Sequence, residues 1–373
     1  MVSADSAIFK PLKVGTMELQ TRIAMAPLTR FRANERHAHE DIGVEYYAQR
    51  ACHPGTLLIT EATFIDQKAG LYAHAPGIYT EEQIQGWKKV VDAVHAKGSY
   101  IYLQLWALGR AADPGASKKE DSAFEVVSAS DIAFEGGAKP RALTKQEIQD
   151  YVSYYARAAK AFVEEAGGDG VEIHGANGYL LDQFLQTTSN QRTDEYGGSL
   201  ENRARFPLDV VRAVSEAVGE ERTAIRLSPY SSFQGMKMSD IHDIKETFSY
   251  VVEKIVQNHP KLAYVHAVES RIAGNATIEA DEAENLEFLR DIWAPRPFFI
   301  AGGFNDHHGP ELADKHENNV IVYGRYFISN PDLVYRLKKN IPLTEYDRDT
   351  FYLQGPSHPE GYTNYPFASE EHK

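Results

Sequence analysis

Residues 171–180 read Val-Glu-Ile-His-Gly-Ala-Asn-Gly-Tyr-Leu. An apolar segment, Val171 and Ile173, ends at His174. A glycine-rich turn follows and carries Asn177 and Tyr179. Two neutral hydrogen-bond donors and a phenol thus sit where a strand gives way to a turn. Such a set polarises a carbonyl and delivers a proton to a neighbouring carbon. It is neither a metal pattern nor a nucleophile pattern.

The same unit, a short apolar run followed by an amphipathic stretch, recurs along the chain. Strands are expected at 23–26, 57–60, 100–105, 170–173, 223–227, 262–268, 298–301 and 320–323. Helical patterns follow at 42–52, 81–97, 145–166, 200–218, 242–258, 285–292, 309–317 and 331–339, with Ser199 and Asp240 as N-caps. Eight strand–helix repeats predict an α/β fold, a (β/α)8 TIM barrel, in one domain spanning 1–373. Continuous apolar runs fit strands buried on both faces. The rival doubly wound sheet needs a glycine-rich phosphate turn after its first strand, and no G-x-G-x-x-G or Walker motif occurs. Residues 1–20 read as a short N-terminal cap. Residues 107–144 form a long loop after strand three, either a lid or disordered.

Composition narrows the function. The 373 residues carry a formal net charge of −14, which disfavours nucleic acid and membrane surfaces as partners. A single cysteine, Cys52, excludes a disulfide framework and a Cys-ligated cluster within one chain. No signal peptide or membrane-length apolar run is present, so a reduced, cytoplasmic protein is expected, as monomer or homodimer. The sequon Asn275-Ala276-Thr277 carries little weight without secretion. His37, His39, Glu40 and Asp41 are metal-capable but read as a solvated loop, so no metal site is expected. His307-His308 reads as a helix start, and Cys52 as packed on an outer helix.

In such a barrel the site lies at the C-terminal ends of the strands. Those ends supply Pro27-Leu28-Thr29, Glu61-Ala62, Gln104-Leu105-Trp106, His174/Asn177/Tyr179, Arg226, Glu269, Gly302-Gly303 and Gly324-Arg325. The glycines after strands seven and eight, with Arg325, favour a phosphate cradle over mere relief of crowding. Alone, Arg226 reads equally as half of an internal salt bridge, and Gln104 as an ordinary buried amide. His174, Asn177 and Tyr179 would each be unremarkable singly; together on one connection they point to function.

Several blocks in order then resemble the Old Yellow Enzyme family of FMN-dependent ene-reductases. They are Ala26–Arg30, Gln104–Trp106, His174–Phe184, Arg192–Arg203, Arg226–Tyr230, Gly324–Asp332 and Tyr346–Tyr352. The resemblance implies a barrel holding non-covalent FMN, with NADPH or NADH as hydride donor in a ping-pong reaction. It assigns Pro27, Leu28, Thr29, Ala62, Gln104, His174 and Arg226 to the flavin ring. Gly302, Gly303, Gly324 and Arg325 fall to the phosphate, and His174 and Asn177 to the substrate carbonyl or nitro oxygen. Tyr179 is then the proton donor. Trp106, Phe233, Tyr352 and loop 270–283 shape the substrate pocket, and the substrates implied are small enones or nitroalkenes. Thr29, where some relatives have Cys, points to the classical branch. The stretch 104–114 resembles fungal members, including ergot-alkaloid reductases and isomerases. A Phe at the donor position is associated there with isomerisation, so Tyr179 favours reduction. Gly303 replaces an Asn common in yeast members. The rivals are a pathway-specific reductase, a flavin-binding sensor, and a flavin-free isomerase or aldolase on a phosphorylated substrate. No strand-end lysine supports the last.

Overall fold

Eight short apolar runs pair in parallel and close on themselves. A computed structural model describes residues 1–274, 276–279, 281 and 283–368; Asn275 of the sequon, and Ala280 and Glu282 of loop 270–283, lie outside them. The strands are β1 (Ile23–Met25), β2 (Leu57–Ile59), β3 (Tyr100–Trp106), β4 (Gly170–Gly175), β5 (Thr223–Leu227), β6 (Tyr264–Val268), β7 (Phe298–Ala301) and β8 (Asn319–Tyr323). Each pairs with the next, and β8 pairs with β1 through Ile321 opposite Ile23, closing the (β/α)8 barrel. At least one helix follows every strand, from Asp41–Arg50 after β1 to Leu333–Lys339 after β8.

Strand periodicity sorts the side chains. Outward residues such as Leu58, Leu103, Ile173 and Ile225 pack beneath the helices. Inward residues alternate small with large: Ala24, Ala224, Tyr102, Tyr264 and Phe299 share one inner cluster. The Tyr264 and Phe299 rings stack at 3.8 Å. The N-terminal hairpin, Leu12–Val14 with Met17–Leu19, adds Val14, Met17 and Leu19 to that inner cluster. It closes the end away from the site, as the expected cap. Ser199 and Asp240 cap their helices through Asn202 N–H and His242 N–H.

Three expectations need correction. Residues 107–144 are not an unstructured loop. They hold the helix Pro114–Glu120, with Asp113 as N-cap and proline at its start, and the strand pair Val127–Ser128/Arg141–Ala142. The stretch from His37 to Asp41 is solvated only in part: Glu40 and Asp41 are exposed, the two histidines are not. Both rings are buried, His37 against the Ala75 carbonyl (2.5 Å) and Glu120 (2.6 Å), His39 edge-on to Trp87 at 4.4 Å. Cys52 lies just past the end of its helix, and burial pushes its thiol up to about 12.

The C-terminal segment is drawn over the mouth by two buried cations. Arg30 donates to the carbonyls of Phe351 and Gly361, and Arg32 to those of Thr350, Phe351, His358 and Glu360. Charge-assisted bonds to backbone carry no sequence reading of their own, yet they deliver Tyr352 to the site.

Candidate active site

One cavity of about 640 Å³ opens at the C-terminal ends of the strands. Of the strand-end residues singled out from the sequence, all but Glu61, Leu105 and Glu269 line it. β1 leads into Pro27, Leu28 and Thr29; β2 into Ala62; β3 carries Gln104 and Trp106. β4 ends in His174, with Asn177 and Tyr179 on the following turn. β5 supplies Arg226, and Phe233 lies beyond it. Gly302 and Gly303 follow β7, and Gly324 and Arg325 follow β8. Tyr352, 44% exposed, and Phe233, 36% exposed, stand at the rim.

The turn after β4 is held in a fixed shape. Asn177 sits at φ 55°, a left-handed conformation that Asn tolerates. Its N–H donates to Ser228 Oγ (2.7 Å), and its carbonyl accepts from Gln234 Nε2 (3.2 Å). The Gln234 carbonyl accepts from Arg110 (3.0 Å), which ties the segment after β3 to this turn. Ala176 N–H donates to His174 Nδ1 (3.3 Å), leaving Nε2 as the protonated nitrogen of a neutral ring. Tyr179 meets the His174 ring edge-on at 5.0 Å and Trp106 at 4.9 Å.

Electrostatics set the protonation states. Burial, then Arg226 and His266, hold the His174 imidazole well below its ordinary value. Burial, then Tyr72 and Tyr352, push the Tyr179 phenol well above its own. At neutral pH the site therefore holds a neutral imidazole and a protonated phenol.

The opposite wall suits an anion. Gly303 has φ 67°, and a Cβ there would come 2.8 Å from Arg325 Nη2; at Gly302 a Cβ would come 2.2 Å from a Glu269 oxygen. The Arg325 guanidinium lies over the Tyr346 ring at 5.3 Å and donates to Thr277 Oγ1 at 2.9 Å. Cations thus stand at both ends of the cavity, Arg226 inside and Arg325 at the rim. Arg226 Nε and Asn177 Oδ1 are buried and have no partner among the described residues. A flat polar heterocycle with an anionic tail fits this arrangement.

Two buried residues escaped the sequence reading. Glu172 on β4 accepts from Gln104 Nε2 (2.7 Å) and pairs with His266 Nδ1 of β6 (2.9 Å). Their signal was present: an ionisable residue inside an apolar strand, two positions from His174, shares its inward face. Glu61, by contrast, turns away from the cavity toward His39 (3.5 Å) and Tyr47 (3.3 Å). Burial raises its carboxyl from 4.5 to about 7. The folded state then keeps a proton that the unfolded chain releases, so stability is full below the unfolded value and lost as pH rises through about 7. Glu61→Gln is expected to gain stability over the parent at pH ~8, on the order of 2–3 kcal/mol, and much less at pH ~5. Thermal melts at the two pH values check this; equal shifts at both would contradict it. Among the described residues the only potential metal-ligand group is His242, Asp243 and Glu246, exposed on one outer helix.

The closed (β/α)8 barrel thus carries a cavity with Arg226 inside, Arg325 at the rim and an imidazole–amide–phenol wall. The sequence model of the NADH:flavin oxidoreductase / NADH oxidase family matches residues 7–344, and the chain belongs to that family. It is 51% identical over 370 residues to a chanoclavine-I aldehyde reductase of Penicillium roqueforti, covering 98% of each chain. It is 44% identical over 375 residues to a probable inactive reductase of Epichloe festucae var. lolii, covering 98% of this chain and 97% of that one. The crystal structure of Old Yellow Enzyme from Pichia sp. AKU4542 superposes with a TM-score of 0.90 at 40% identity, over 99% of this chain and 95% of the other.

Proposed function

We propose that this protein binds FMN and reduces the activated C=C bond of α,β-unsaturated carbonyl or nitro compounds at the expense of NADPH or NADH. The observation that carries this reading is the convergence of His174, Asn177, Tyr179 and Arg226 on one cavity. FMN, when bound, would accept hydride from the nicotinamide and pass it to the β-carbon of the alkene. Thr29, Ala62, Gln104 and Arg226 would hold the ring, and Gly302, Gly303, Gly324 and Arg325 the phosphate. His174 and Asn177 bind the substrate oxygen and polarise the conjugated system, because a neutral N–H and an amide donor stabilise charge developing there. Tyr179 holds the proton destined for the α-carbon. Trp106, Tyr72 and Phe31 wall the space above, with rings 5.6–6.2 Å apart, and Phe233 and Tyr352 narrow its entrance.

The Penicillium relative's name favours an aldehyde substrate and a pathway-specific reductase as the finer form of this reading. Membership of a flavin oxidoreductase family leaves the flavin-free isomerase without support. No helix among the described residues is long and apolar enough to cross a membrane, and a single cysteine is compatible with a reducing compartment.

The test is anaerobic reduction with NADPH followed by a panel of enones, enals and nitroalkenes. Reoxidation by members of the panel is expected. A bound flavin that NADPH reduces and no alkene reoxidises would leave a carrier or sensor instead. Phenols that mimic the bound oxygen give a second test. His174→Ala is expected to weaken phenol binding by about tenfold or more through loss of one donor to a charged oxygen. Unchanged phenol affinity, read from flavin absorbance titrations, would remove His174 from the oxygen-binding pair.

A further inference from the structure

We infer that Glu172 and His266 form a buried support under the flavin ring that fixes the atom Gln104 presents to it and offsets the charge of Arg226. This rests on the FMN reading above. Both side chains are fully inaccessible. One Glu172 oxygen accepts from Gln104 Nε2 at 2.7 Å, and the other pairs with His266 Nδ1 at 2.9 Å.

Two consequences follow from this geometry. First, Gln104 lines the cavity and has given one of its two amide N–H groups to a carboxylate, which fixes which way round the amide sits. Its carbonyl oxygen is thereby turned away from Glu172 and can accept from an N–H on a ring edge, beside the remaining amide N–H. Isoalloxazine has one such edge N–H. Second, strand register places Arg226 beside both His174 and His266, on the face shared with Glu172. Burial alone would raise the Glu172 carboxyl, but His266 and Arg226 overcome it and keep it ionised; burial keeps the His266 ring neutral. Glu172 is then the counter-charge of Arg226, and a reduced, anionic flavin meets a cation already partly balanced.

Glu172 and His266 are positioning residues on this account. The test is the reduction potential of bound FMN, with its dissociation constants in both redox states, for the parent, Glu172→Gln and His266→Asn. Removing the carboxylate charge is expected to raise the potential and to tighten binding of reduced over oxidised FMN by about tenfold. The neutral imidazole damps that charge only through its Nδ1–H bond, so where His266→Asn loses that bond the potential is expected to shift the opposite way, by less. If Glu172→Gln does not fold, the sign of the His266→Asn shift decides. Parent-like potentials in every variant that folds would overturn the support role while leaving the FMN reading intact. A parent protein that binds no FMN would overturn both.

Discussion

Replacing Tyr179 by Phe is expected to slow alkene-dependent reoxidation of the reduced protein by about 100- to 10,000-fold, the usual worth of a positioned general acid. The substitution removes one oxygen from a ring that packs edge-on against Trp106 and His174, so the cavity keeps its shape. Burial already holds the phenol protonated, which makes it a proton store across the neutral range. Reduction by NADPH needs no proton at the α-carbon and is expected to change little. Stopped-flow traces of the two half-reactions separate the effects. Equal losses in both would assign Tyr179 to packing or cofactor placement.

The second large effect is expected at Arg226. Arg226→Leu removes the inner cation of the cavity and leaves the Glu172 carboxylate buried without its counter-charge. The two charges act on each other through space rather than in contact, so the loss is expected to stay below the ~3–5 kcal/mol of a broken buried contact pair. The variant is expected to melt at a lower temperature and to purify largely without flavin. Adding Glu172→Gln is expected to recover much of the stability, because the orphaned charge disappears, while flavin retention stays low. Calorimetry and flavin content measure the two outcomes separately. Full flavin retention in Arg226→Leu would show that the cation does not hold the ring.

Both predictions depend on a barrel legible from Val171 and Ile173 outward. Apolar runs with polar termini located all eight strands within about two residues, because strands buried on both faces leave few competing readings. Strand-end residues were equally visible: His174, Arg226, Gly302 and Gly324 stand where apolar runs stop. What escaped was interior or non-local. Glu172 and His266 lie within runs read only for their hydrophobicity, although their period-two spacing marks the inward face. The helix Pro114–Glu120 carried its start signal in Asp113-Pro114, an N-cap followed by proline, but too few periodic residues followed to distinguish it from a loop. Arg30 and Arg32 make their bonds to backbone more than 300 residues away; no local pattern announces such partners.

The relatives' names include both a reductase and a probable inactive reductase, so turnover depends on the site rather than on the fold. Here the imidazole, amide, phenol and inner cation all face one cavity.

This cavity is expected to hold FMN. Purified protein is expected to be yellow, to carry about one FMN per chain on release by denaturation, and to bleach anaerobically with NADPH. A colourless protein that stays without flavin after incubation in excess FMN would contradict the claim.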